Sequence, residues 1–537
     1  MSPTDTEQDP GPTAGTVEAF PGRGRHARTD AGTTPVGQTR LVAQPLYMKL
    51  IVFVVGAASL GSEIALARLV APYFGASTIV WANTIAVVLV ALSLGYWWGG
   101  RLADRRPEPG FMCALVLAAA VGLAIVPFVG KPLLDAGTRA LDSISVGAFV
   151  GSLVAVLLLA AAPVLLLGAI TPFALRLSLA AVEDSGTVAG ALYGLSTAGS
   201  LLGTFLAALV LVPFAGTHRT FLIFALALAL AASLGRPRLG LPVALVVGVL
   251  IALPAGAIKS SSADGRVIYE TETPYQYVRV VQSPDGTRRL ELNEGLAVHS
   301  LYRPGSFLTG DYWDEFLVLP GAVDARAPSR LAVLGDAAGT TARAYGHYFA
   351  GTAVDGVELD GRLTDIGRRF FGLGGPHLRL ITADARPFLR QSHTRYDSIF
   401  LDAYRQPYIP FYLVTREFFA LVRDHLTPTG SLVVNVGHPS DSNQLERAVS
   451  ATLRTEFPYV MRDASEPTNT IVLASTAPPS AARLAANRLP ADLRPIAVAA
   501  ARRLGPALRG GPVYTDDRAP VEWLVDRSII SYAAGHR

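Results

Sequence analysis

Arg395-Tyr-Asp-Ser-Ile-Phe-Leu-Asp402-Ala-Tyr404 is the stretch that decides the fold, because it is an apolar strand that ends on an acidic residue. Earlier in the chain, Val354-Asp-Gly-Val-Glu358-Leu-Asp360 is a second strand that also ends in carboxylates. Two such strands in one α/β unit predict a nucleotide-type ligand bound along the carboxyl edge of a parallel sheet.

Around these two strands, the chain after Ser329 alternates short apolar strands with helical segments, which is the pattern of a parallel sheet covered by helices. The predicted strands lie at 331–335, 353–359, 378–383, 398–402, 431–436 and 470–474. The predicted helices lie near 340–348, 362–371, 386–391, 415–426 and 441–457. We therefore predict an α/β Rossmann-like domain over 306–475, followed by a C-terminal extension over 476–537.

A small β-domain is predicted ahead of this sheet, over residues 266–305. Its predicted strands, at 267–270, 275–281 and 289–292, surround Ser283-Pro-Asp-Gly286, which is a hairpin-turn sequence. A unit of this size is too small to bury a core of its own. We expect it to pack on the domain that follows.

The first half of the chain is predicted to lie in the cell membrane. The whole chain is 50% hydrophobic and 16% charged, but charges are sparse over 48–258. Apolar runs of the length that crosses a bilayer, roughly 17–25 residues, lie at 48–72, 77–99, 110–130, 146–173, 188–214, 218–235 and 241–258. They predict a multi-pass α-helical membrane domain of about seven helices, preceded by a disordered tail over 1–47 that is rich in Gly, Pro and charge.

The charges of the loops favour a cytoplasmic N-terminus, because arginines cluster in the tail, after the second helix and before the seventh. An odd number of helices would then place the soluble half outside the cytoplasm, which conflicts with a domain expected to use a cytoplasmic nucleotide. One missed or additional helix would reverse this result. The sequence therefore leaves the side of the soluble half open.

Composition excludes several classes of site. The net charge of +4 is small for 537 residues, and no basic run interleaved with aromatic residues suggests a nucleic-acid partner. Cys113 is the one cysteine and falls inside an apolar run. It supports neither a disulfide within the chain nor a cysteine-based metal site or nucleophile. We expect no metal.

The ends of the predicted strands supply candidate ligand contacts. Gly335-Asp-Ala-Ala-Gly339 is a turn of small residues, which lets the backbone approach a ligand at a helix N-terminus. Glu358 follows at close to the spacing of about 20 residues expected for a carboxylate that binds ribose hydroxyls, the alternative being that it caps a turn. Asp384-Ala385 follows the third strand, where Asp384 either meets an adenine amino edge or N-caps the next helix.

These residues together resemble the spermidine synthases, the polyamine aminopropyltransferases. The matching motifs are Tyr275-Gln276, Val357-Glu358-Leu-Asp360, Asp384-Ala385, Tyr396-Asp-Ser-Ile-Phe-Leu-Asp402 and Leu413-Val-Thr-Arg-Glu-Phe-Phe419. The resemblance covers roughly 266–475 and implies a small β-domain ahead of a methyltransferase-type Rossmann-like fold. The membrane half resembles the transmembrane segment that a bacterial subgroup of the family carries, with Leu192-Tyr-Gly194 and Ser196-Thr-Ala-Gly199 fitting its pattern.

The resemblance also implies roles for individual residues. Tyr275 and Gln276 would contact the thioadenosine part of the ligand, Glu358 its ribose, and Asp384 with Ala385 its adenine. Asp402 would accept a proton from the attacking amine, with Tyr404 orienting that amine. The co-substrate would be decarboxylated S-adenosylmethionine.

Three departures from the family pattern bear on this assignment. The family carries Gly-Gly-Gly-Asp-Gly after the first strand, whereas the position of its aspartate here is Ala338, with Asp336 two residues earlier. We expect Gly335 and Asp336 to contact the ligand. The family's Tyr-His-Glu segment in the gating region stands here as Tyr312-Trp-Asp314. The family strand ends Asp-x-x-Asp, and the second aspartate, which holds the amine, is here Arg405.

Arg405 cannot accept a proton and would repel a cationic polyamine, unless it turns away to solvent or pairs with a carboxylate. The first hypothesis is a membrane-anchored aminopropyltransferase acting on a polyamine such as putrescine. The alternatives are another S-adenosylmethionine-dependent transferase, in which Arg405 contacts an anionic acceptor, and a catalytically inactive nucleoside-binding domain that regulates a transporter-like membrane unit. The expected partners are a small-molecule amine and the lipid bilayer, with a homodimer as an open option.

Overall fold

A computed structural model describes residues 46–74, 78–141, 147–179, 185–253, 265–293, 295, 297–404, 409–438, 442–522 and 524. The tail predicted over 1–47 lies outside these residues, apart from its last two positions, which begin a helix. The chain then forms a helical half followed by two β-sheets.

The described N-terminal half consists of apolar helices. They are α1 (Leu46–Phe74), α2 (Thr78–Arg105), α3 (Pro109–Leu141), α4 (Gly147–Ser178), α5 (Ser185–Ala215), α6 (Thr217–Ser233) and α7 (Pro237–Ala252). In the part of the chain that the structure describes, the first five are long and apolar enough to cross a membrane, whereas α6 and α7 have 17 and 16 residues. Helices are the natural conformation here, because a helix satisfies its backbone hydrogen bonds internally where lipid offers no partner.

Close contact between α1 and α5 depends on glycine. A Cβ atom at Gly199 would lie 2.1 Å from the backbone oxygen of Phe53, and one at Gly203 would lie 2.0 Å from that of Ala57. Only glycine permits the two helix backbones to approach this closely.

The small β-domain is a four-stranded antiparallel meander. Its strands are β1 (Arg266–Glu272), β2 (Tyr277–Gln282), β3 (Arg288–Leu292) and β4 (Val298–Tyr302). The predicted turn closes the β2–β3 hairpin, where Gly286 has a φ of +84° and donates its N–H to the Ser283 oxygen over 3.0 Å. The sequence had not predicted β4. Val278, Val280 and Leu290 are buried against Ala338 and Leu363 of the next domain, so the meander packs on that domain as expected.

The second sheet has eight strands in the described residues, in the order β12-β10-β11-β9-β8-β5-β6-β7. They are β5 (Arg330–Leu334), β6 (Ala353–Glu358), β7 (Leu378–Thr382), β8 (Tyr396–Leu401), β9 (Leu426–Gly437), β10 (Tyr459–Asp463), β11 (Asn469–Ser475) and β12 (Gly505–Pro506). Strands β5 to β9 pair in parallel, and β10, β11 and β12 pair antiparallel. The predicted membrane, small β and Rossmann-like architecture is confirmed.

Helices cover both faces of this sheet. They are α8 (Trp313–Val318), α9 (Thr340–Tyr348), α10 (Gly361–Ile366), α11 (Ala385–Gln391), α12 (Arg416–Asp424), α13 (Gln444–Leu453), α14 (Ala481–Ala485) and α15 (Arg494–Arg503). One core lies between the sheet and α11 to α13, and the other lies between the sheet and α8, α9, α14 and α15. Two buried faces explain why β8 and β9 are continuous apolar runs rather than alternating ones.

The boundary predicted at residue 475 requires a correction. After Ser475 the chain returns to the same sheet, where Gly505 and Pro506 pair with Arg462 and Met461 of β10. Strands β10 and β12 were both missed by the sequence prediction. Residues 476–507 therefore form part of the Rossmann-like domain rather than a separate extension.

Candidate active site

The carboxyl ends of four neighbouring strands bring the predicted site residues to one edge of the sheet. Along the order β8-β5-β6-β7, these ends carry Asp402, Gly335, Glu358 and Asp384. The Asp402 N–H donates to the Leu334 oxygen over 2.9 Å, so the ends of β8 and β5 are held together. The strand order reverses between β5 and β8, and open α/β sheets typically bind their ligands at such a switch point.

Asp402 is partly buried and accepts hydrogen bonds from three side chains. Its Oδ1 accepts from Asn435 Nδ2 over 2.8 Å. Its Oδ2 accepts from the Tyr312 hydroxyl and from Trp313 Nε1, each over 3.1 Å. Desolvation raises the pKa of Asp402 to about 7, although the three donors oppose the shift because they stabilise the carboxylate. A carboxyl with this pKa can exchange a proton near neutral pH.

Asn435 is a site residue that the sequence prediction missed. It is buried on β9, and its Oδ1 accepts from Asn469 Nδ2 over 2.8 Å. That bond orients the amide so that its Nδ2 faces Asp402. The available signal was a lone amide in the apolar run from Leu432 to Val436, near the end of a strand that neighbours β8.

Tyr312 and Trp313 reach Asp402 from the start of α8. The two rings lie 4.4 Å apart between centroids, and the Tyr312 N–H donates to Glu466 Oε1 over 2.6 Å. Desolvation, reinforced by the charge of Asp402, raises the pKa of Tyr312 well above its ordinary value. The phenol therefore stays protonated and serves as a hydrogen-bond donor. Sequence reasoning named this segment by resemblance only.

Tyr404 does not contact Asp402 through any described hydrogen bond. Its hydroxyl donates to the Asn435 backbone oxygen over 3.0 Å and accepts from the Gly437 N–H over 2.5 Å. The hydroxyl proton and one lone pair are thus directed at the end of β9. In this arrangement Tyr404 fixes the loop after β8, and its predicted role in orienting an amine stays a prediction.

Gly335 allows the β5–α9 loop to pass close to the end of β8. Its φ is +88°, and a Cβ atom there would lie 2.5 Å from the Ala403 Cα and 2.7 Å from the backbone carbonyl oxygen of Asp402. An L-residue is disfavoured on both counts. The loop therefore needs glycine at this position.

Asp336 and Glu358 are two further carboxyls beside this loop. Asp336 is 5% exposed, and neither of its carboxyl oxygens has a hydrogen-bond partner among the described residues. Desolvation and the nearby Glu358 carboxyl raise the pKa of Asp336 well above its ordinary value. Glu358 accepts from the N–H groups of Ala337 and Asp360, each over 2.9 Å, and desolvation raises its pKa to about 7.

Asp384 satisfies the helix-capping interpretation. One oxygen accepts from the Arg386 N–H over 3.0 Å at the start of α11, and the other accepts from the Tyr412 hydroxyl over 2.7 Å. Ala385 is buried as the first residue of the helix. A contact between this pair and an adenine stays a prediction.

Tyr275 and Gln276 lie in the turn between β1 and β2. Gln276 Nε2 is 3.5 Å from Asp360 Oδ2, at the limit of hydrogen bonding, so Gln276 reaches the end of β6. Asp360 in turn caps α10 by accepting from the Arg362 N–H. The Tyr275 side chain is 47% exposed. The structure therefore brings Gln276 to the predicted edge and leaves Tyr275 at its surface.

Arg405 lies outside the described residues, which stop at Tyr404 and resume at Ile409. Its predicted effect on a polyamine therefore stays a prediction. In the described part of the chain, no group of three or more His, Cys, Asp or Glu side chains is arranged to hold a metal ion.

Comparison with known proteins relates the soluble half to one group of enzymes. No family model matches the chain. A probable polyamine aminopropyl transferase of Bifidobacterium longum is 37% identical over 190 residues, which are 35% of this chain and 42% of that protein. A polyamine aminopropyltransferase of Vibrio vulnificus is 30% identical over 161 residues, which are 29% of this chain and 54% of that protein. The chain thus spans about half the length of these curated relatives.

A third relative aligns over a longer part of the chain. Polyamine aminopropyltransferase 1 of Streptomyces coelicolor is 25% identical over 441 residues, covering 76% of this chain and 78% of that protein. Three quarters of the chain cannot fit within residues 266–537, so this alignment extends into the membrane helices.

Two solved structures are also similar. A probable spermidine synthase from Corynebacterium glutamicum aligns over 47% of this chain and 98% of that chain, with 21% identity and a TM-score of 0.36. Spermidine synthase in complex with the transition state analogue AdoDATO aligns over 51% of this chain and 89% of that chain, with 16% identity and a TM-score of 0.36.

The fold and the strand-end site define a protein with apolar helices long enough to cross a membrane, followed by a Rossmann-like domain. Within that class, the chain is related in sequence to the polyamine aminopropyltransferases. The resemblance drawn from its motifs is confirmed.

Proposed function

We propose that the chain is a membrane-anchored aminopropyltransferase, which transfers the aminopropyl group of decarboxylated S-adenosylmethionine to an amine such as putrescine. The observation that carries the proposal is Asp402, a carboxyl with a pKa of about 7 at the end of a central strand, held by three hydrogen-bond donors. The names of the sequence relatives support the class of reaction.

The reaction needs a base, because an alkyl amine with a pKa near 10 is almost wholly protonated at neutral pH. The neutral nitrogen attacks the carbon beside the sulfonium, a carbon–nitrogen bond forms, and the carbon–sulfur bond breaks to release methylthioadenosine. The proton lost by the nitrogen passes to Asp402 and then to solvent. Tyr312, Trp313 and Asn435 hold the carboxylate in place for that transfer.

The charge of the edge suits a cationic sulfonium ligand. Asp336, Glu358 and Asp402 lie close enough for the charges of the latter two to raise the pKa of Asp336. A bound cation would stabilise the ionised form of all three. Each Glu358 oxygen accepts one backbone N–H and keeps a lone pair for a ribose hydroxyl.

Other residues are assigned to the nucleoside by their position at the same edge. Gln276 approaches from the β1–β2 turn, while Asp384 and Ala385 lie at the end of β7. The helices α1 to α5 would anchor this domain to the bilayer, since each has the length and composition of a span.

The test is methylthioadenosine release by the purified full-length chain given putrescine and decarboxylated S-adenosylmethionine. We expect turnover by the wild type and a loss of roughly 10²–10⁴-fold in Asp402→Asn, because the amide cannot accept the proton. Asp365→Asn, an exposed carboxyl on α10, is the matched control and should retain activity.

Two other results would replace the proposal. The chain could bind intact S-adenosylmethionine more tightly than the decarboxylated form and transfer no aminopropyl group. That result would indicate another S-adenosylmethionine-dependent transferase, in which Arg405 contacts an anionic acceptor. Methylthioadenosine binding with no product from any amine would indicate an inactive nucleoside-binding domain that regulates the membrane helices.

A further inference from the structure

The turn from Thr273 to Gln276 joins the membrane helices to the candidate nucleoside site. On its membrane side, the Arg68 guanidinium of α1 donates to the Pro274 backbone oxygen. On its other side, Gln276 Nε2 approaches Asp360 at the end of β6. The two contacts are separated by one residue of chain.

The turn is closed by its own hydrogen bonds and should move as one unit. The Thr273 N–H donates to the Gln276 oxygen over 2.9 Å. The Thr273 hydroxyl accepts from the N–H groups of Tyr275 and Gln276 over 3.1 and 3.0 Å. Thr273 is 1% exposed. A displacement of Pro274 would therefore be passed on to Gln276 rather than absorbed.

A second membrane helix holds the residue that precedes the turn. Glu272 accepts from the Thr217 N–H over 2.6 Å and also from the Thr217 hydroxyl. Thr217 is the first residue of α6, whose unpaired N–H groups and dipole favour a carboxylate. Desolvation raises the pKa of Glu272, and the two bonds from Thr217 oppose that shift.

The position of Arg68 explains why this contact should persist. It lies on α1, which ends six residues later at Phe74. A guanidinium at that depth is costly unless it extends to the interface or finds polar partners. A carbonyl of the soluble half supplies such a partner, so the same bond lowers the cost for the helix and fixes the turn.

We propose that α1 and α6 complete the nucleoside site by holding this turn, with Arg68 and Thr217 as positioning residues for Gln276. The inference rests on the proposed binding of a nucleoside at Gln276. It predicts that the membrane helices set the affinity of the soluble half for its ligand, beyond anchoring it.

The experiment measures the affinity of the full-length chain, in detergent micelles, for 5′-methylthioadenosine by titration calorimetry. Arg68→Gln should bind roughly tenfold more weakly, which is the size of one charge-assisted hydrogen bond. Arg68→Lys should recover part of the loss, and Thr217→Val should also weaken binding. Arg219→Gln is the matched control, because Arg219 is an arginine of α6 that donates to Leu253 rather than to the turn. It should bind as the wild type does.

A double-mutant cycle separates positioning from a general loss of structure. If Arg68 acts through Gln276, Arg68→Gln should cost nothing further in a Gln276→Ala background. Additive losses would overturn the inference, as would wild-type affinity in Arg68→Gln. A wild-type chain that binds no methylthioadenosine would instead contradict the proposed function.

Discussion

The carboxyl groups of the candidate site have raised pKa values, and the main cause is desolvation rather than repulsion between neighbouring carboxylates. Burial is the largest cause for Asp336, Glu358 and Asp402, and neighbouring carboxyls add to it for Asp336 and Glu358 but not for Asp402. Because their pKa values are raised, these three carboxyls are stabilised in their ionised form when a cation binds beside them. Asp402 differs from the other two because side-chain donors converge on it.

The pH dependence of the rate should report Asp402. Only its ionised form accepts a proton, so the rate should fall as the pH drops below about 7. Asn435→Leu removes a donor to the carboxylate, which would raise the pKa of Asp402 further and move the acid limb of the pH–rate profile upward by about one pH unit. Steady-state rates between pH 5 and 9 provide the measurement. Asn443→Leu, on the exposed start of α13, should leave the limb in place. A limb that does not move in Asn435→Leu would rule out Asp402 as the titrating base.

Asp336 should make the protein less stable as the pH rises. Its pKa is raised on folding, so its contribution to stability is fully present below the unfolded pKa and is lost as the pH rises toward the folded one. Asp336→Asn has nearly the same shape and does not ionise. The difference in melting temperature, variant minus wild type, should therefore be more positive at pH 8 than at pH 4. A difference that is equal at both pH values would show that Asp336 titrates as it does in the unfolded chain.

Among the elements, the β5–α9 loop is the one most sensitive to a small change. Gly335→Ala combines a left-handed φ, worth about 1–2 kcal/mol, with a collision against the backbone of β8. We expect a loss of at least about 2 kcal/mol in unfolding free energy and weaker methylthioadenosine binding. Gly346→Ala is the control on the same loop–helix unit, since Gly346 is exposed in α9 and a Cβ there meets nothing within 4 Å. That change should stabilise the protein by roughly 0.5–1 kcal/mol. Equal effects of the two substitutions would contradict the close approach at Gly335.

The elements that sequence predicted are those with strong local patterns. Strands β5 to β9 are apolar runs followed by helical segments, so both their existence and the common edge of their carboxyl ends could be inferred. Strand β12 has only two residues, and β10 pairs with strands that lie later in the chain. Such strands form because they pair with strands that are distant in the sequence, and the local sequence pattern does not reveal that pairing.

The same distinction applies to the site. Asp402, Glu358 and Asp384 lie at strand ends, so the geometry of a parallel sheet locates them. Tyr312 meets Asp402 across 90 positions of sequence, and Asn435 depends on the register of β9 against β8. Contacts of this kind arise from packing between helices and strands, and the sequence pattern of a single element does not predict them.

In the whole molecule, the basic residues of the apolar helices and their loops are concentrated at one end of the helix bundle. An ion pair of 3.1 Å between Arg176 and Asp104 joins the end of α4 to the end of α2, and the Ser178 hydroxyl is 3.8 Å from the Met48 sulfur at the start of α1. This end of the described bundle also carries Lys49, Arg101, Arg105, Arg106, Arg236 and Arg238. The soluble half contacts the opposite end, through the bonds of Arg68 and Thr217.

This asymmetry predicts the side of the soluble half that sequence alone left open. Short loops rich in Lys and Arg stay in the cytoplasm, so the arginine-rich end should face inward and the soluble half outward. The chain suits a cysteine test, because Cys113→Ser removes its one cysteine. In that background, a membrane-impermeant maleimide added to intact cells should label Arg488→Cys, on the exposed surface of the soluble half, and spare Glu108→Cys, in the α2–α3 loop. Permeabilised cells should show both labelled, which controls for accessibility.

The reverse labelling pattern would place the soluble half in the cytoplasm and would show that the arginine distribution does not set the orientation. The expected pattern has a consequence for the chemistry. A site on the outer face would have to draw both its nucleoside and its amine from outside the cytoplasm. The same cells, supplied externally with labelled putrescine and decarboxylated S-adenosylmethionine, should then release methylthioadenosine into the medium. Release that requires permeabilisation would instead assign the proposed reaction to the inner face.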